Sequence, residues 1–214
     1  MELSAQVGVR TILQPSGRTT REDHLLIVLH GRGDTAEGFA WLQGKLGLPG
    51  LSALLLDAPD PYDEGRCWYT PPDRRPGIDR SRALLTKVFD EVFRAGYAPE
   101  HCFLFGFSQG ALMTLEFGAR EARRLAGYVA VSGRCHDAEA LLKEARPEAL
   151  KADWLVTHGK FDEGLPIETT RAQMKMLSDG GFAVDYREYP KKHTIDPGTE
   201  LPEIRDWLKE RMRP

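Results

Sequence analysis

The chain predicts an α/β fold, a mostly parallel sheet with helices on both faces, and three observations carry that prediction. Short apolar runs at Leu25–Leu29, Ala53–Leu56, Cys102–Phe107, Tyr128–Val131 and Trp154–Thr157 suit strands buried on both faces. Segments with apolar residues at helical spacing alternate with these runs, the order that crossover connections give to parallel strands. Four strand ends then leave through polar or Gly-rich residues, at 30–34, 106–110, 158–162 and 192–196. In an open parallel sheet, reactive groups gather at such carboxyl ends. With 214 residues the chain is long enough for one domain, residues 1–214, and short for two.

The elements follow in order. Val7, Val9, Thr11 and Leu13 alternate with other residues in an early strand, and the turn-rich Gln14-Pro-Ser-Gly-Arg18 predicts a hairpin into Leu25–Leu29. That second strand runs into His30-Gly-Arg-Gly-Asp34. Asp34, with Glu37 three residues later, is an N-cap signal for a helix near Trp41 and Leu42. Ala53–Leu56 opens into the longest irregular stretch, which reaches Asp79 and contains five prolines around Trp68 and Tyr69. Loops of this length tend to be functional. Leu84, Leu85, Val88, Phe89, Val92 and Phe93 outline an amphipathic helix closed by Gly96. A polar helix is expected near Ala138 to Lys143, and another, through Ile167, Thr170, Met174 and Leu177, stops at Gly180-Gly181. Val184, Tyr186 and Glu188 mark a last strand, and Leu201, Ile204, Leu208 and Met212 share one face of a final helix.

Composition excludes several functions. A net charge of −3 gives no electrostatic case for a nucleic-acid partner, so the clusters Arg74-Arg75 with Arg80 and Arg82, and Arg120 with Arg123-Arg124, read as solvated faces. Cys67, Cys102 and Cys135 are odd in number and lack C-x-x-C spacing, which indicates reduced thiols rather than a disulfide framework or a zinc site. The N-terminus has no basic region leading into an apolar core, so a cytoplasmic protein without membrane insertion is expected. Oligomeric state is left open.

The chemistry centres on Gly106-Phe-Ser-Gln-Gly110. A serine between a buried strand and the helical pattern of Ala111, Leu112 and Leu115 must occupy a very tight turn, which small residues on either side permit and which pushes its hydroxyl out of the sheet. Ser108 is a weak nucleophile unless an imidazole takes its proton, and that imidazole needs a carboxylate to hold its tautomer. Asp162 and His193 both follow strands. Their order after Ser108 is that of α/β-hydrolases. Glu163 and Asp153 compete with Asp162, although Asp153 stands at the wrong end of its strand. Among the other histidines, His24 and His136 read as surface residues and His101 precedes a strand. His30 and His158 read as residues that pin loop backbone. The backbone N–H groups of Gln109 and Arg32 are the expected oxyanion donors, and no metal or cofactor is called for.

Taken together, Leu29-His-Gly-Arg-Gly-Asp-Thr35, Gly106-Phe-Ser-Gln-Gly110, His158-Gly-Lys-Phe-Asp162 with Leu165-Pro166, and His193-Thr-Ile resemble the phospholipase/carboxylesterase family of α/β-hydrolases, which includes the acyl-protein thioesterases. The resemblance runs from about residue 25 to the C-terminus. It implies an α/β-hydrolase without a large cap domain, a Ser108–Asp162–His193 triad, an oxyanion hole of the Arg32 and Gln109 amides, and Trp68 and Tyr69 flanking the substrate. The chain departs from the family's usual pattern at Arg32, Ala111, Tyr69-Thr70 and Lys192. The cations Arg32 and Lys192 favour a small or medium acyl group over a long lipid chain. The expected activity is cleavage of a small-molecule carboxylic ester through an acyl-enzyme. The alternatives are a thioesterase or lysophospholipase, and a catalytically silent binding module on the same fold.

Overall fold

The computed structural model describes residues 7–16 and 24–212. Nine strands are β1 (Thr11–Gln14), β2 (His24–Leu29), β3 (Leu51–Leu56), β4 (Asp60–Tyr62), β5 (Gly65–Cys67), β6 (Cys102–Phe107), β7 (Gly127–Val131), β8 (Asp153–Gly159) and β9 (Ala183–Tyr189). The α-helices are α1 (Trp41–Leu46), α2 (Arg75–Arg94), α3 (Gln109–Gly118), α4 (Ala138–Glu144), α5 (Pro147–Lys151), α6 (Ile167–Asp179) and α7 (Glu200–Arg211). Seven strands form one sheet in the order β1-β3-β2-β6-β7-β8-β9, parallel except for β1. No large cap is inserted among the described residues.

Alternation along the central strands divides the core in two. Leu25, Ile27, Leu104, Ala130, Trp154 and Val156 face one side, where Val88 and Phe89 of α2, Leu112 and Leu115 of α3 and Met174 of α6 cover them. Leu26, Val28, Phe103, Phe105, Val129 and Leu155 face the other, under Leu42 of α1 and Ile204, Trp207 and Leu208 of α7. Covering both faces explains why β2 and β3 are buried at every position and why these strands read as unbroken apolar runs.

Several expectations need correction. The first strand does not form a hairpin with β2: it pairs antiparallel with β3, Thr11 opposite Leu56, at the sheet edge. Most of the turn expected before β2 lies outside the described residues. Asp34 caps no helix; its backbone bridges to Arg66, and its carboxylate accepts from the N–H of Thr35 at 2.8 Å. The first helical turn comes later, as a 3₁₀ segment at Glu37–Phe39 ahead of α1. The stretch 57–79 is not irregular throughout. It contains the β4–β5 ribbon and the first turns of α2, where Pro76 is tolerated because early helical N–H groups lack internal partners. α5 went unread because five residues are too few for periodicity to show.

His24 is buried rather than on the surface, its ring 4.7 Å from that of His101 and 5.9 Å from that of Phe103. The second arginine cluster is not a solvated face either. Arg120 is buried against Glu116 at 2.8 Å and reaches Glu144 at 2.6 Å. Arg123 engages Asp90 and Glu121 and lies over the Phe93 ring. Cys67, Cys102 and Cys135 are all buried thiols, and burial pushes the Cys102 thiol up to about 12. No helix of the described residues is long and apolar enough to cross a membrane. Arg120→Met should cost about 3–5 kcal/mol in urea unfolding, because Glu116 would be left as an unpaired buried charge. Replacing the exposed Lys175 of the Lys175–Asp179 pair should change stability by less than about 1 kcal/mol.

Candidate active site

The site is built at the carboxyl ends of β2, β6, β7 and β8 and in the loop after β9. Ser108 joins β6 to α3 with φ 55° and ψ −111°, a conformation L-residues adopt only when the surrounding structure imposes it. Two glycines make the turn possible. A Cβ at Gly106 would overlap the Gly110 carbonyl, and one at Gly110 would overlap the Leu29 carbonyl, so strand, helix and the end of β2 pack backbone against backbone. The Ser108 N–H donates to the Val131 carbonyl at 2.9 Å and fixes the turn against β7.

Opposite Ser108 stands His193. Its Nε2 lies 2.8 Å from Ser108 Oγ, and its Nδ1 lies 2.7 Å from Asp162 Oδ2. Nδ1 is the nitrogen that carries the proton here, because a carboxylate can only accept; Nε2 is then free to accept from the serine hydroxyl. The Asp162 side chain is wholly buried, and its other oxygen accepts from the N–H groups of Gly164 at 3.0 Å and Leu165 at 2.9 Å. Glu163 points to solvent, 3.8 Å from Lys192. Asp153 pairs with Arg211 at the amino end of β8. Geometry therefore separates Asp162 from both competitors.

The loop bearing His193 is anchored by a buried ion pair that sequence reading missed. Lys191 Nζ contacts both Glu200 oxygens, at 2.6 and 2.7 Å, and also donates to Ser132 Oγ at 3.0 Å and the Thr194 carbonyl at 2.6 Å. Burial lowers the Lys191 pKa against the pull of Glu200. The adjacent pair Lys191-Lys192 hides this arrangement in sequence, since one lysine is enclosed and the other is in water.

The loop after β2 lies directly beside the serine: a Cβ at Gly31 would come 3.4 Å from Ser108 Cβ. It is held on three sides. Trp68 Nε1 donates to the His30 carbonyl at 2.8 Å, the Gly33 N–H donates to the Arg66 carbonyl at 2.8 Å, and the Ala58 N–H donates to His30 Nε2 at 3.0 Å. His30 and His158 thus pin backbone as expected, His158 through Nε2 to the Leu165 carbonyl at 2.8 Å. Gln109 is the first residue of α3, where N–H groups have no intrahelical acceptor. Its side chain has a second task unread in sequence. The amide oxygen accepts from the Trp68 N–H and the amide nitrogen donates to the Tyr69 carbonyl, both at 2.9 Å.

The cleft above Ser108 has a volume of about 300 Å³. Pro71, Leu112 and Leu165 form its apolar walls, and Arg32, Arg74 and Arg134 also line it. Tyr69 lines it too, but Trp68 does not: it is wholly buried, so of the two expected flanking aromatics only Tyr69 reaches the cleft. Lys192 is likewise outside the cleft; Arg74 and Arg134 supply the cationic character instead. A larger cavity of about 570 Å³ lies at the opposite end of the sheet, between Pro99, Asp153 and Arg211, far from Ser108.

A parallel sheet carrying a serine on a strained strand-to-helix turn, with an imidazole and a carboxylate delivered by later loops, defines an α/β-hydrolase. The phospholipase/carboxylesterase family profile matches residues 16–212, and the chain belongs to that family. It is 26% identical over 206 residues to carboxylesterase SOBER1 of Arabidopsis thaliana, covering 88% of this chain and 90% of that one. It is also 26% identical over 207 residues to acyl-protein thioesterase 1 of Kluyveromyces lactis, covering 87% and 90%. The crystal structure of SOBER1 shares the fold at a TM-score of 0.82 with 24% identity, covering 89% of this chain and all of that one.

Burial lowers the pKa of His30 and of His158. Because the folded values lie below the ordinary value of about 6.5, the unfolded chain binds more protons in the window between them. This contribution to stability is complete above about pH 6.5 and is lost as pH falls toward the folded values. The urea midpoint should therefore drop between about pH 7.5 and pH 5.5, and the drop should be smaller in His30→Gln.

Proposed function

We propose that this protein is a serine esterase in which Ser108 attacks a carboxylic ester, His193 takes its proton and Asp162 orients and stabilises the resulting imidazolium. The leaving alcohol receives that proton, and water, activated by the same imidazole, releases the acid from the acyl-enzyme. The backbone N–H groups of Arg32 and Gln109 would receive the oxyanion. One observation carries the proposal: an unbroken hydrogen-bond chain from Ser108 through His193 to Asp162, joining side chains 85 and 31 positions apart in sequence.

The cleft, about 300 Å³, is at the small end for ligand sites, which supports a small or medium acyl group. The Kluyveromyces lactis relative is named as a thioesterase, so matched oxygen esters and thioesters of one acyl chain are the appropriate pair for ranking the two bonds. A silent binding module would have no need to keep serine, imidazole and carboxylate in register. In this proposal residues 1–214 form one catalytic domain that acts in the cytoplasm.

A fluorophosphonate probe should label wild-type protein at Ser108 and fail to label Ser108→Ala or His193→Ala; an unlabelled wild type would refute the proposal. Asp162→Asn should lower aryl-ester turnover on the order of 10³–10⁴-fold by stabilising the wrong tautomer. Glu163→Gln should remain within about twofold of wild type, since its carboxylate is solvated.

A further inference from the structure

Most arginines among the described residues are spent on carboxylates, including Arg75, Arg80, Arg120, Arg123, Arg171 and Arg187. Arg32, Arg74 and Arg134 are not. None of the three has an ion-pair partner among the described residues, and all three line the cleft over Ser108. They come from separate segments: the loop after β2, the turn before α2 and the loop after β7. Arg32 lies 5.2 Å over the Tyr62 ring and Arg74 6.0 Å from the Tyr69 ring. All three fields reach the Tyr69 phenol, which burial pushes up to about 12 while the arginines oppose that rise.

Among the described residues, no aspartate or glutamate lines the same cleft. Asp162 lies behind the imidazole and its oxygens are already engaged by His193, Gly164 and Leu165. Glu116 belongs to α3 itself, is buried there, and pairs with Arg120. A small cleft with three uncompensated guanidinium groups and no carboxylate focuses a positive potential where substrate must bind. Guanidinium forks match planar or tetrahedral oxyanions in bidentate fashion.

We infer that the cleft selects esters bearing an anionic oxyacid group, a carboxylate or phosphate, a few bonds from the reacting carbonyl, held by Arg74 and Arg134 with the aid of Arg32. This inference rests on the serine esterase reading and names the substrate class of that site. Chemistry at the ester is unchanged. The anion adds binding and orientation, and a neutral ester of equal length forfeits both.

The test compares kcat/KM for 4-nitrophenyl hemiglutarate with that for its neutral methyl ester, and for 4-acetoxyphenylacetic acid with its methyl ester. An aryl ester of 4-phosphonobutyrate ranks the phosphate-type anion against the carboxylate. In wild type at least one anionic ester should exceed its neutral counterpart by about tenfold or more, as expected for charge-assisted hydrogen bonds, and added salt should erode the preference. Arg74→Gln and Arg134→Gln should each lower that ratio severalfold, with Arg→Lys at the same positions restoring part of it. The neutral ester measured in each variant reports on folding and chemistry. The inference is overturned if wild type hydrolyses the neutral esters as well as every anionic one, or if the variants lose both activities in parallel. Failure of wild type to cleave any of the esters or to react with a fluorophosphonate would instead strike the underlying esterase reading.

Discussion

Everything at this site depends on how closely three pieces of backbone approach one another under Ser108. Gly106 meets the carbonyl of Gly110, and Gly110 meets that of Leu29, so β6, α3 and the end of β2 form a contact with no room for a side chain. The strained φ of Ser108 is a consequence of that contact. The same contact brings the loop after β2 beside the serine, and Gln109, the first residue of α3, lines the cleft there. α3 itself is buried at every position, so the turn cannot relax by swinging the helix outward.

A second constraint holds the imidazole. His193 sits in a loop after the last strand, where chain mobility would ordinarily be greatest. Lys191, Glu200, Ser132 and Thr194 tie that loop to α7 and to the end of β7 through a buried ionic cluster. Such clusters contribute little net stability because desolvation offsets the attraction between the charges. What they contribute is a single geometry: each donor of Lys191 has a fixed acceptor, and displacing the loop would strand a buried charge.

The parallel sheet, the serine turn and the strand ends that bring Asp162 and His193 beside Ser108 are legible in the sequence, because each depends on patterns local in the chain: apolar runs, helical spacing, and small residues around Ser108. What stayed hidden depends on pairings between distant segments. β1 pairs with β3 because the sheet offers an edge there, and nothing near residue 14 encodes that choice. Trp68 looked like a cleft residue beside Tyr69, yet the hydrogen bonds of its indole and main chain, to His30 and Gln109, draw it inward. Lys191 and Lys192 are identical in type and adjacent, and only the position of Glu200 decides which is enclosed. Arg74 reads as surface charge and Arg134 draws no reading at all for the same reason: the loops that bring them to the cleft carry no periodic signal.

The Gln109 side chain has a mechanical meaning. By gripping the main chain at Trp68 and Tyr69, it couples the wall of the cleft to the turn at Ser108. Ser81 adds a second grip on the Trp68 carbonyl from α2. The wall therefore cannot swing away as a hinged lid without dragging on the turn that presents the serine. Access is by an aperture of set dimensions, already shaped before any substrate arrives, so discrimination falls to what the opening admits and attracts and not to a closing movement around it.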